Sequence, residues 1–277
     1  VAYGVRRRHL LGGHLDALMN YPFRNALIAY LLGGDAAEFR LEMETLRQNY
    51  PDFAFYNAMN SLGTHDTLRI LTYLGTGTQR QEWTKEQRGG YVMSGEERRR
   101  GAALLKLGTA VLFAFPGAPT VYYGDEAGME GGKDPFNRRC YPWGREDADL
   151  MRHYRALGIL RQREPDLRTG KTTVFAAGEG RFGFRRGELT ACCNRGEHPW
   201  ELGRGGPAGP QRRAGGGRRH PRPRRLRPPP PGAGRAYITE TAAADSPRLF
   251  LSPAVQCDKI KEKKWRKNHG QDLGYPV

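Results

Sequence analysis

Apolar side chains recur every third or fourth residue in several stretches of the chain. Each such stretch predicts a helix with one buried face. Phe23, Leu27 and Leu31 form the first stripe, which starts after Pro22 and ends at Gly33-Gly34. Asp35 and Glu38 have the spacing of a capping box and open a second helix. Phe39, Met43, Leu46 and Tyr50 line its face and Pro51 closes it. The third helix spans Glu96 to Phe115, with Ala103, Leu107, Val111 and Phe115 aligned and Pro116-Gly117 as its stop. A fourth begins after Asp147 as N-cap and carries Leu150, Tyr154, Leu157 and Leu160.

Short runs of strand formers lie between these helices. Leu15 to Asn20 alternates before Tyr21-Pro22-Phe23, and Thr120 to Tyr123 suits a buried parallel strand. A further short segment leads into Leu62-Gly63-Thr64-His65-Asp66. Strands alternating with helices predict a parallel α/β sheet. Gly75 to Ser94 reads as a long loop on the active face, and Glu130 to Glu146 as a loop with Gly131-Gly132. After Lys171 the pattern changes to closely spaced strands, Thr172–Ala177, Arg181–Arg186 and Leu189–Cys193, with Gly178-Glu179-Gly180 as a turn.

The net charge of +16 would by itself suggest nucleic acid or a membrane surface as partner. Its distribution argues otherwise. Residues 203–235 hold ten Arg and no acid, and residues 258–267 add a net +4, so 14 of the 16 charges lie in two segments. The rest of the chain is nearly neutral. Gly, Pro, Arg and Ala dominate from Gly203 to Arg235, a composition that cannot bury a core and is expected to be disordered. Codons built only from G and C encode just these four residues. The segment therefore reads better as a frameshift, a gene-prediction error or an assembly join than as a nucleic-acid-binding tail. The four cysteines are too few for a disulfide framework and have no zinc spacing. No apolar run reaches the length of a membrane span. Val1 in place of Met, with no signal-like segment after it, reads as a start within something longer.

The chemistry concentrates in Asn60-Ser61-Leu62-Gly63-Thr64-His65-Asp66-Thr67-Leu68-Arg69. A buried strand ending in polar groups would put His65 and Asp66 at the mouth of a barrel, where such folds keep their active sites. An imidazole and a carboxylate side by side can bind hydroxyls, and the carboxylate can stabilise nearby positive charge. The dipeptide alone equally suits an N-cap or a surface pair.

The stretch Leu62 to Thr67 with Arg69 resembles the His-Asp motif after the seventh barrel strand of the alpha-amylase family of glycoside hydrolases, nearest its neopullulanase and cyclomaltodextrinase branch. Gly117-Ala118-Pro119-Thr120-Val121-Tyr122-Tyr123-Gly124-Asp125-Glu126-Ala127-Gly128 is similar to that family's eighth-strand motif. Asp134-Pro135-Phe136-Asn137-Arg138-Arg139 with Pro142-Trp143 resembles the sugar-contacting loop that follows. The resemblance covers roughly residues 1 to 200. It implies the second half of a (β/α)8 TIM barrel in residues 1–170 and the start of a small all-β C-terminal domain in 171–202; composition, not the resemblance, makes residues 203–277 an expected disordered tail, either frameshifted or genuine.

The same resemblance makes the chain a C-terminal part of a retaining α-glucan hydrolase acting on α-1,4 and α-1,6 bonds. Such an enzyme needs a nucleophile and a general acid about 5 Å apart. The family adds a third carboxylate that holds sugar hydroxyls and stabilises the transition state. Asp66 matches that third group, His65 its hydroxyl-binding neighbour, and Asp134 and Arg138 a sugar-binding pair. No Gly-x-Arg-x-Asp run and no strand-borne Gly-Glu followed by Trp is present to supply the other two carboxylates. Tyr122, Tyr123 and Glu126 could wall a glucosyl ring, although packing of the strand end suits the tyrosines as well. Arg69 is expected to pair with Asp66 or a neighbouring carboxylate. The implied partner is an α-glucan oligosaccharide, with no nucleic acid and no membrane, and a homodimer is open to the intact enzyme. No metal or cofactor is expected in this stretch, calcium belonging to the other half of the family's fold. The expected location is the cytoplasm. A non-catalytic amylase-like binding or assembly protein is the alternative.

Overall fold

A computed structural model of the protein describes residues 7–77, 83–178, 180–195 and 248–253. Three parallel segments lie side by side. Met19 bridges Met59, and β1 (Met59–Ser61) pairs in parallel with β2 (Ala118–Thr120), in the register Met59 to Ala118 and Ser61 to Thr120. Helices cross between them. α1 (Tyr21–Leu31), α2 (Ala36–Asn49) and the short α3 (Asp52–Asn57) separate Met19 from β1. α4 (Ile70–Thr76), α5 (Lys85–Gly90) and α6 (Gly95–Ala114) separate β1 from β2. α7 (Ala148–Arg163) and α8 (Asp166–Thr169) follow. Adjacent parallel strands joined by helical crossovers are the expected α/β arrangement.

The strands differ from their predicted positions. Leu15–Asn20 contracts to a single bridging residue, because residues 11–14 and 16 bend. β2 ends at Thr120, where the predicted strand began. Tyr122 and Tyr123 turn away to cover Arg69, and Gly124 takes a left-handed φ of 84° that ends the extended run. The loop expected over Gly75–Ser94 contains the end of α4 and all of α5. A capping box between Thr84 and Gln87 starts α5. Asp35 does cap α2, accepting from Ala37 N at 2.9 Å.

The second layer is an antiparallel sheet in the order β3 (Thr172–Gly178), β4 (Arg181–Arg186), β5 (Leu189–Asn194) and β6 (Arg248–Pro253). Arg248–Pro253 falls inside the segment expected to be disordered. That expectation is corrected here: the six residues pair along β5 from Leu189–Pro253 to Asn194–Arg248, which satisfies backbone groups that an open sheet edge would leave unpaired. The rest of 203–277 lies outside the described residues.

An aromatic core joins the two layers. Phe23 of α1 stacks on Phe115 at 5.0 Å, Phe39 of α2 meets Phe182 of β4 at 4.4 Å, and Phe184 meets Phe115 at 5.3 Å. These rings are buried, and each contributes roughly 1.5–3 kcal/mol of transfer free energy. The end of α6 points into this junction, and its last carbonyls need donors. Arg161 donates to Phe113 O at 2.6 Å, and the buried Arg186 donates to Ala114 O at 3.0 Å and Gly170 O at 3.0 Å. Burial pushes the Arg186 guanidinium down to about 10. No helix among the described residues is long and apolar enough to cross a membrane.

Candidate active site

The parallel register puts the carboxyl ends of all three segments on one face, so Asn20, His65-Asp66 and the turn after β2 face the same side. The ends are stitched together by amides. Asn20 donates to Asn60 Oδ1 at 2.9 Å and accepts from Phe23 N as the N-cap of α1, while Asn60 donates to Pro116 O at 2.7 Å. Arg24 reaches from α1 to donate to Leu62 O at 2.6 Å, which fixes the exit of β1.

Beyond Leu62 the chain closes a small turn. Thr67 N donates to Thr64 O at 3.3 Å, and Asp66 N donates to Thr64 Oγ1 at 3.3 Å. This local hydroxyl turn holds the peptide while the two functional side chains project outward. His65 Nε2 lies 3.1 Å from Asp66 Oδ1, and both side chains are more than half exposed, at 54% and 60%. An accessible carboxylate beside an imidazole is ready to bind a hydroxylated ligand.

Asp134 and Arg138 also come together, Arg138 Nε lying 2.6 Å from Asp134 Oδ1. A single 3-10 turn, Phe136–Arg138, brings them into reach. Asn137, between Asp134 and Arg138 on the same turn, is fully buried. Its Nδ2 donates to His65 O at 2.7 Å and to Thr67 O at 2.8 Å. The Asp134–Arg138 turn is therefore bonded to the backbone on both sides of Asp66. Asn137 lies inside the loop motif that begins at Asp134, but nothing in the sequence points to these bonds, which span about seventy residues.

Arg69 pairs with a neighbouring carboxylate, as expected, and that carboxylate is Asp125. Nη1 sits 3.3 Å from Asp125 Oδ1 and also donates to Tyr123 O. Tyr122 and Tyr123 cover the guanidinium at 4.4 and 4.7 Å. Arg69 thus organises the turn after β2 from below instead of facing solvent. Burial pushes the Asp125 carboxyl up to about 7, opposed by the Arg69 charge and hydrogen bond. Gly63 permits this approach, because a Cβ there would lie 2.0 Å from Asp125 Oδ2. The Tyr123 hydroxyl donates to Arg139 O at 2.8 Å. Tyr122 and Tyr123 therefore pack the strand end and its loop, and Tyr123 keeps an exposed edge. Glu126 places one carboxylate oxygen in a buried position with no hydrogen-bond partner.

The loop between Gly128 and Asp147 is anchored to α6 by Arg98, which donates to Glu130 at 2.6 Å and Asp147 at 3.3 Å. Gly131 N donates to Thr72 Oγ1 at 3.0 Å, tying the loop to α4. Past Arg138, Trp143 stands 80% exposed with its ring 4.5 Å from Tyr141. Among the described residues no group of three or more His, Cys, Asp or Glu could hold a metal ion.

No family model matches the chain. Amylopullulanase from Thermoanaerobacter thermohydrosulfuricus is 38% identical over 183 residues, 61% of this chain and 12% of that enzyme. Cyclomaltodextrinase from Bacillus sp is 34% identical over 172 residues, 61% of this chain and 26% of that enzyme. Among solved structures, the cyclic alpha-maltosyl-(1→6)-maltose hydrolase of Arthrobacter globiformis, in complex with maltose, superposes with a TM-score of 0.57. It is 28% identical and covers 69% of this chain and 39% of its own. The acarbose-soaked debranching enzyme of Nostoc punctiforme gives a TM-score of 0.56 at 29% identity, over 70% of this chain and 40% of its own. The structural neighbours are TIM-barrel enzymes that this chain matches in part. Over the stretch it shares with them, the chain is similar to enzymes of the alpha-amylase family of glycoside hydrolases, and it spans less than half the length of each of these relatives.

Proposed function

We propose that this chain carries the sugar-holding and transition-state-stabilising part of a retaining α-glucan hydrolase site, for α-1,4 and α-1,6 bonds of maltodextrin, cyclodextrin or pullulan. One observation carries the reading. An accessible His65-Asp66 pair sits at the strand ends, and the Asp134–Arg138 turn is bonded directly to its flanking peptides. Relatives named amylopullulanase and cyclomaltodextrinase, and a solved neighbour named as a hydrolase of an α-1,6-linked maltosyl ring, support the substrate class.

In this reading Asp66 accepts hydroxyl donors from the ring at the cleavage point and stabilises the positive charge that develops as the glycosidic bond breaks. His65 donates or accepts at an adjacent hydroxyl. Asp134 and Arg138 offer an acceptor and a donor to a neighbouring sugar that does not change shape. Asp66 is one of three carboxylates the reaction uses. The nucleophile and the acid/base are not supplied by any motif in these residues. The test is reducing-sugar release from pullulan, cyclodextrins and starch by the purified 277-residue chain. No turnover is expected, and turnover abolished by Asp66→Asn would overturn the assignment of a single catalytic carboxylate.

A further inference from the structure

We infer that Asn137 is a positioning residue for Asp66, making sugar binding at Asp134/Arg138 and placement of Asp66 one mechanical event. The inference rests on the α-glucan reading above. Asn137 is 0% exposed, so its hydrogen bonds compete with no solvent. Its single amide nitrogen serves His65 O at 2.7 Å and Thr67 O at 2.8 Å, the carbonyls of the residues on either side of Asp66. Both amide protons are used, and the peptide carrying Asp66 is bridged from outside.

The bridge complements the local turn. Thr64 holds Asp66 N from within at 3.3 Å. That turn fixes the chain relative to itself but not to the sugar-binding loop. Asn137 supplies the missing connection, because Arg138 is its immediate neighbour and is ion-paired to Asp134. A sugar that draws Asp134 and Arg138 into one geometry therefore also loads the two bonds that aim Asp66. The loop behind the turn is fixed as well: Arg139 donates to Gly89 O at 3.0 Å, and Arg69 N donates to Gly131 O at 3.2 Å. With its outer end held, movement of the 3-10 turn is transmitted inward. The side chain must be an amide for this. A carboxylate of the same shape would present an acceptor to two carbonyl acceptors, and an aliphatic group would present nothing.

The test titrates maltotriose into the full chain with 15N- and 13C-labelled histidine, following the His65 imidazole beside Asp66. Maltotriose is expected to shift the His65 signal in the parent and in a Lys133→Ala control. In Asn137→Asp the shift at His65 should be lost while maltotriose still binds through Asp134 and Arg138, with affinity lower by about fivefold or more, the coupling that a real connection carries. Asn137→Ser, which leaves a smaller group, should give the same result if the first variant does not fold. A His65 shift of parental size in a folded Asn137 variant that still binds maltotriose overturns the inference. Absence of any maltotriose binding by the parent overturns the α-glucan reading instead, and the coupling with it.

Discussion

Arg69 Nη1 and Asp125 Oδ1 lie 3.3 Å apart with both side chains sealed from solvent, on segments that leave adjacent parallel strands. The pair locks the exit of β1 to the exit of β2. Where Asp125 is ionised, at about pH 8, removing one partner leaves a buried charge uncompensated or forces it to take up a proton, a cost of at most about 3–5 kcal/mol. Arg69→Met is therefore expected to lower stability strongly, read as the urea midpoint of the full chain. The double variant Arg69→Met with Asp125→Leu is expected to recover part of the loss. Recovery is the signature of the pair, since two independent packing defects would add.

The same carboxyl sets a pH dependence. Burial raises the Asp125 pKa to about 7 in the folded protein, against about 3.9 for an unfolded carboxyl. The folded state thus binds the proton more tightly than the unfolded one. The stabilisation from this proton is complete below about pH 4 and is lost as pH rises through about 7. Relative to Asp125→Asn, which does not titrate, the parent should lose stability steadily between about pH 4 and pH 8. Thermal melts of both proteins across this range check the sign. A gap that moves toward the parent with rising pH would contradict it.

Gly63 is a steric requirement of this arrangement. A Cβ would fall 2.0 Å from Asp125 Oδ2, so the carboxylate must leave its place beside Arg69. Gly63→Ala should destabilise by roughly 2–4 kcal/mol, well beyond an ordinary surface change. It should cost less in an Asp125→Ala background, measured by the same urea midpoints.

Asp66 and Arg138 should divide their effects. In a chimera that joins these residues to the remaining barrel of a cyclomaltodextrinase, Asp66→Asn should lower turnover by about 10²–10³-fold, the range for losing a transition-state stabiliser. Arg138→Ala should act mainly on KM, since it grips a ring whose shape does not change. Steady-state kinetics on maltodextrin separate the two. An effect of Asp66→Asn confined to KM would contradict its role.

Legibility in the sequence followed the range of the interactions. The helices of residues 23–31, 39–50 and 150–160 announced themselves, because their buried faces repeat within the element. The parallel strands β1 and β2 are three residues long and almost without alternation, so the expected strand Thr120–Tyr123 overlaps β2 only at Thr120. Tyr122 and Tyr123 look like strand formers until Arg69 gives them something to cover. His65, Asp66, Asp134 and Arg138 could be named from motifs, and their pairings are local in sequence. The bonds of Asn137 and the pairing of Arg69 with Asp125 could not, because each bridges turns more than fifty residues apart. The six residues of β6 were hidden by the composition of the segment before them.

The most direct test of the account is calorimetric titration of the 277-residue chain with maltotetraose and, separately, with the β-linked cellotetraose. The site at Asp66, Asp134 and Arg138 predicts saturable binding of the α-linked sugar alone. It also predicts that Arg138→Ala weakens that binding by about tenfold, the loss expected for a charge-assisted contact worth about 1.5 kcal/mol. Equal binding of the two sugars, or maltotetraose binding unchanged by both Arg138→Ala and Asp66→Asn, would contradict it.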